Sequence, residues 1–158
     1  MRFYVAALLG LTAAAVTVAP AILQAAFARR DMKGAQAILP MQPVVIHTRR
    51  EAIRLKVEVA RTPEQQQAGL MLRKSVPLRG GMIFPIRPAK DVSFWMKNTV
   101  IPLDILFIRA DGSIARIISA APLDETLDRA HEAVAAVLEM RSGQARALGI
   151  QEGDKVKW

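Results

Sequence analysis

Leu103-Asp104-Ile105-Leu106-Phe107-Ile108-Arg109-Ala110-Asp111-Gly112-Ser113-Ile114-Ala115-Arg116-Ile117-Ile118-Ser119 is the stretch that decides the fold. Two apolar runs flank Asp111-Gly112, and Asp-Gly between such runs is among the strongest local signals for a β-hairpin. Working outward, Ile53, Leu55, Val57 and Val59 alternate with Arg54, Lys56 and Glu58, the pattern of a strand with one wet face. Thr62-Pro63-Glu64-Gln65 follows, with an N-cap, a proline at the first helical position and a Gln placed to close a capping box. This predicts a short helix from Pro63 to about Leu70.

Further strands are predicted at Gly81 to Ile86, Phe94 to Thr99, Ala133 to Met140 and Lys155 to Trp158. An exposed loop is expected from Pro85 to Asp91, another from Pro122 to Glu132, and a brief helix capped by Ser142 that ends at Gly149. Strands dominate and helices are short. The expected fold is therefore mainly β, a compact antiparallel sandwich or barrel with one or two short helices.

The N-terminus speaks to compartment. Arg2 precedes an uncharged, Ala-, Leu- and Val-rich run from Phe3 to Ala28, which ends in Ala26-Phe27-Ala28 before Arg29-Arg30. A basic start, an apolar middle and a small-x-small end describe a secretory signal peptide over residues 1–28. A retained anchor is the competing reading, since roughly 20 apolar residues span a bilayer; Pro20 and the Ala-x-Ala site favour cleavage after Ala28. Either way the folded part is expected in the periplasm or outside the cell, with membrane contact only if the leader stays attached. Residues 29–43 lack periodicity and read as a linker, leaving one β-rich domain over 44–158.

The chain has a net charge of +8 and no cysteine. Disulfides, thiolate nucleophiles and Cys-based zinc sites are thereby excluded, so stability outside the cell must come from packing. The basic balance could attract anionic envelope polymers or lipids, but Arg29, Arg30, Lys33, Arg49 and Arg50 crowd the start and read as a solvated positive arm. No basic-aromatic motif points to nucleic acid. His47 and His131 lack ligand spacing, and Met71, Met82, Met96 and Met140 read as core filling rather than soft-metal ligands. Neither a metal nor a cofactor is expected.

Alternation in Phe94 to Thr99 would put Trp95, Lys97 and Thr99 on one face. In Leu103 to Ile108, Asp104 is the one charge in an otherwise apolar strand, and a carboxylate there must be paired, hydrogen-bonded or protonated. Lys97 and Arg73 are the natural neutralising partners, either in a structural ion pair or around a bound polar ligand. Glu139 is likewise the one acid of Ala136-Val137-Leu138-Glu139-Met140. Facing each other, Asp104 and Glu139 would form an acid and base pair of the glycosidase kind. Trp95 beside Lys97 would suit a sugar or aromatic ligand, or simply fill the core.

Taken in order, Thr62-Pro63 with Gln65, Gly69-Leu70-Met71 with Arg73, Gly81-Met82-Ile83-Phe84, Phe94-Trp95-Met96-Lys97-Asn98-Thr99, Ile101-Pro102-Leu103-Asp104-Ile105, Asp111-Gly112, Leu138-Glu139 with Gly143, Gly149-Ile150 and Gly153-Asp154 form a series that resembles an uncharacterised bacterial and archaeal family, domain of unknown function 192. The resemblance covers about Ile53 to Val156 and implies one small β-rich domain, often exported, with no established activity. It directs attention to Arg73, Trp95, Lys97, Asn98, Asp104 and Glu139. Three functions are compatible with these residues: an envelope module binding a polar, anionic or saccharide ligand, a structural or assembly protein, and a carboxylate-dependent hydrolase or lyase. The mixture of an aromatic, two cations and no nucleophile places binding first.

Overall fold

The computed structural model describes residues 34–158; the leader read over 1–28 lies outside them. The chain forms β1 (Met41–His47), β2 (Ala52–Val59), α1 (Pro63–Ala68), β3 (Met82–Lys90), β4 (Ser93–Phe94), β5 (Leu103–Ile108), β6 (Ile114–Ala120), β7 (Asp128–Arg129), β8 (Val134–Arg141), α2 (Gln144–Ala147) and β9 (Lys155–Lys157). Seven strands make one sheet in the order β6-β5-β8-β3-β2-β1-β9, while β4 and β7 form a separate two-stranded ribbon. Neighbours are antiparallel except β2 and β3, which run parallel over a short contact.

The sheet curls into a half-barrel. β9 pairs with β1 at one edge and also bridges to Ser113 at the head of β6, the opposite edge. There the Val156 N–H donates to the Gly112 carbonyl at 2.8 Å and the Ile114 N–H donates to the Asp154 carbonyl at 2.9 Å. Joining the edges at this rim pairs backbone groups that an open sheet would leave unmatched. Gly112 makes the closure possible, because it lies at φ +82° and a Cβ there would stand 2.8 Å from the Val156 carbonyl oxygen.

The central strands β5 and β8 are covered on both faces. On the concave side Ile46, Ile53, Leu55, Val57, Leu106, Ile108, Leu138 and Met140 pack with Ala145 and Ile150. On the other side Met82, Phe84, Leu103, Ile105, Phe107 and Val137 pack beneath Leu70, Val76 and Met96. β5 is buried at every position and β8 at all but two, as expected of strands in the middle of a doubly covered sheet.

Local signals are reproduced where the chain is local. The Asp111-Gly112 hairpin forms between β5 and β6. At α1 the capping box is complete, with the Gln65 N–H donating to Thr62 Oγ1 and the Thr62 N–H donating to Gln65 Oε1. Gly69, at φ +46°, ends this helix one residue after Ala68.

Four expectations are corrected. The strand from Phe94 to Thr99 stops at Phe94, and a turn over Met96 to Thr99 replaces it, closed by the Thr99 N–H on the Met96 carbonyl at 3.0 Å. Asn98 occupies the left-handed region at φ +55°, which asparagine tolerates better than most residues, so alternation fails there. β3 continues through Pro85 and Pro88 to Lys90 where a loop was expected, the prolines falling at a register break that needs no ladder N–H. β1 starts at Met41, inside the stretch read as linker, because β2 supplies its partner. Finally, α2 starts at Gly143 with no side-chain cap, not at Ser142.

Gly81 holds β3 against β8. A Cβ on it would collide with the carbonyl oxygen of Glu139. Gly81→Ala is expected to cost at least about 2 kcal/mol in urea unfolding; a change below about half a kcal/mol would mean the two backbones are not in contact.

Candidate functional site

Glu139 sits in β8 between Met82 of β3 and Ile105 of β5. Side chains directly opposed in an antiparallel pair share a face, so Glu139 points with Met82 and Ile105 toward the layer under α1. Its side of the sheet is roofed by α1, the Gly69 to Met71 turn and the β4 segment, and between roof and sheet lies a cavity of about 440 Å³. Glu139 lines this cavity with Gln66, Gly69, Phe84, Lys90, Phe94, Trp95, Thr99 and Leu127. The volume falls in the range of small-molecule sites.

Glu139 is 5% exposed, and its Oε2 has no hydrogen-bond partner among the described residues. Burial raises the Glu139 carboxyl to about 8, since an ionised carboxylate loses its hydration there. At neutral pH the group is therefore mostly a neutral acid able to donate a hydrogen bond. Among the cavity's lining residues it is the one carboxyl group.

Trp95 is placed by its neighbour. Phe94 stands edge-on to Phe84 with ring centroids 5.1 Å apart and to Phe107 at 6.1 Å, which pins β4 onto the sheet. The chain then turns outward, leaving Trp95 37% exposed at the cavity's edge instead of inside a buried strand. Lys97 Nζ lies 5.2 Å from the Trp95 ring centroid, a cation–π contact that orients the indole. Gln66 fixes the opposite wall, its Nε2 donating to the Ala60 carbonyl at 3.2 Å and to the Pro85 carbonyl at 3.0 Å.

The other residues singled out from the sequence lie elsewhere. Asp104 opposes Met140, not Glu139, and so points to the concave face. Its carboxylate accepts from Ser119 Oγ at 2.9 Å and from the Ala145 N–H at 3.0 Å. Ala145 is in the first turn of α2, so Asp104 caps that helix from a neighbouring strand and replaces the side-chain cap expected from Ser142. Neither Lys97 nor Arg73 neutralises it. Arg73 instead pairs with Glu58 at 3.0 Å, and Glu58 also accepts from the Leu39 N–H at 2.7 Å, tying the segment before β1 to β2. Asn98 forms the turn behind Trp95, where its carbonyl accepts from the Leu72 N–H at 2.9 Å.

Of the six residues, Trp95 and Glu139 meet in one cavity, Lys97 supports them through Trp95, and Arg73, Asn98 and Asp104 hold the fold. With Asp104 and Glu139 on opposite faces, the paired-carboxylate geometry does not exist. Gln66, Lys90, Thr99 and Leu127 escaped the sequence reading. Thr99 stood inside the quoted motif; the other three carried no signal, because tertiary packing alone brings them to the cavity. Among the described residues no group of three or more His, Cys, Asp or Glu is arranged to hold a metal ion, and no helix is long and apolar enough to cross a membrane.

Fold and cavity together define a small curled β-sheet domain with a lined pocket on its convex side. The family model of domain of unknown function 192, described as an uncharacterized ACR, matches residues 44–158, and the chain belongs to that family. It is similar to a protein of unknown function from Novosphingobium aromaticivorans DSM 12444, with 39% identity and a TM-score of 0.75 over 83% of this chain and 96% of that one. It is also similar to a Sinorhizobium meliloti 1021 protein named only provisionally as a transcription regulator, with 36% identity and a TM-score of 0.74 over 77% of this chain and 96% of that one. No curated protein matches it.

The Glu139 shift has a consequence for stability. The unfolded chain ionises this group near its ordinary value of 4.5 and the folded chain only near 8. Between these values the folded state holds the extra proton, so its contribution to stability is full below the lower value, falls as pH rises and levels off above the upper one. The difference in unfolding free energy between wild type and Glu139→Gln, measured in urea from pH 4 to 9, should shift by a few kcal/mol in favour of the variant as pH rises across that window. A difference constant with pH would show that Glu139 titrates normally.

Proposed function

We propose that the cavity between Trp95 and Glu139 binds the ring of a small saccharide, and that the protein is a binding module of the cell envelope. The observation that carries this reading is a buried acid at the cavity wall with an oxygen that no described residue satisfies. Buried polar atoms of folded proteins are almost always hydrogen-bonded, so an orphan beside a cavity draws its partner from the cavity, from solvent or from a ligand that displaces it. A ring of hydroxyls supplies acceptors for a neutral carboxyl group and a flat C–H face for an indole. Glu139 offers the first contact and Trp95, at the rim, the second.

Binding is favoured over hydrolysis because glycoside hydrolysis of the usual kind needs two carboxyl groups flanking one bond. The lining holds Glu139 alone, and Asp104 is on the far face of the sheet. Envelope location rests on the residue 1–28 pattern of Arg2, the apolar run and Ala26-Phe27-Ala28.

Replacing Trp158 by Phe leaves Trp95 as the chain's sole tryptophan. Its emission is expected to shift saturably on titration with at least one of glucose, galactose and N-acetylglucosamine, and Glu139→Ala should weaken that affinity about tenfold, the loss of a buried hydrogen bond. No response to any of the three sugars would refute the reading. For location, intact mass of the chain from a periplasmic extract should show Arg29 at the N-terminus; full-length chain confined to the cytoplasm would contradict export.

A further inference from the structure

A second cavity of about 320 Å³ adjoins the first. It is lined by Arg61, Gln66, Pro85, Ile86, Arg87 and Lys90 among others, and Gln66, Ile86 and Lys90 line both cavities. Lys90 therefore stands where they meet, with two arginines beyond it. These three cations are solvent-exposed and line one hollow, where together they raise a local positive potential that attracts an anion.

No carboxylate among the described residues is paired with them. Among the described residues the ion pairs are Arg73 with Glu58, Arg109 with Glu132 and Lys155 with Asp111, none of which involves this group. Arg61 reaches only the amide oxygen of Gln42, at 3.4 Å. Glu64 lies on the adjoining helix, where its carboxyl accepts hydrogen bonds from its own backbone and from Thr62 and forms no ion pair with the three cations. The wall between the hollows is fixed, since both Gln66 amide bonds run to backbone carbonyls of the walls, Ala60 and Pro85.

We infer that the ligand is an acidic sugar, whose ring occupies the Trp95–Glu139 cavity while its phosphate or carboxylate is held by Arg61, Arg87 and Lys90. This rests on the saccharide reading above and adds the charge of the ligand. Guanidinium groups suit such an anion because their forked N–H donors match its oxygens. The neutral Glu139 acid and the cationic hollow then divide the work, the first reading hydroxyls and the second reading charge.

The full chain carrying Trp158→Phe tests this by titration, followed through Trp95, with glucose, galactose and N-acetylglucosamine, then with their 6-phosphates and with glucuronate. At least one acidic sugar is expected to bind about tenfold or more tightly than its neutral counterpart, an advantage that salt weakens. Arg61→Gln with Arg87→Gln, which leaves only Lys90 of the three cations, should cut the advantage several-fold and leave neutral-sugar affinity unchanged. Equal affinity for neutral and acidic forms would overturn the inference and leave the saccharide reading standing. An advantage undiminished by the double substitution would also overturn it, since the anion would then sit elsewhere. Silence toward every sugar would remove both.

Discussion

The strand β8 is the constraint on which the rest depends. It runs between β5 and β3 with protein on both faces, so an acidic residue in it is largely removed from water. Such a residue must be paired, hydrogen-bonded or neutral. Among the described residues Glu139 has no ion pair, one of its oxygens is unmatched, and burial raises its carboxyl to about 8. The cavity beside it makes the group reachable, because a neutral carboxyl group lining a cavity can donate a hydrogen bond to an acceptor there.

Asp104, one strand away, solves the same problem differently. It accepts from a serine hydroxyl and from a backbone N–H at the start of α2, so its two oxygens are engaged by groups that belong to the fold. That helix has no cap of its own, and the strand carboxylate supplies one. Two lone acids in apolar strands thus have different meanings. The satisfied one braces the fold, and the unsatisfied one faces the cavity proposed as the binding site.

How far the sequence foretold this follows from distance along the chain. Asp111-Gly112, the Thr62 to Gln65 capping box and the alternation of Ile53 to Val59 act among near neighbours, and all three appear as read. The mainly β fold and the family resemblance are likewise legible. The turn at Lys97-Asn98 was misread because alternation cannot register that one asparagine takes a left-handed conformation. β1 was hidden although it forms a local hairpin with β2, because its Met41 to His47 sequence lacks clean alternation and its other partner, β9, is remote in the chain. Both acids stood out as lone charges in apolar runs, but their partners did not. A remote backbone N–H and an empty space leave no trace in composition, and cations such as Lys97 and Arg73 draw attention that belongs elsewhere.

The account turns on the protonation of one carboxyl group, and its most direct test is to titrate that group by carbon NMR with the glutamate side-chain carboxyls labelled and Glu139→Gln used for assignment. The account predicts a midpoint near 8 for the Glu139 resonance. A midpoint near the ordinary 4.5 would contradict it, leaving the cavity without the neutral donor on which the binding reading stands.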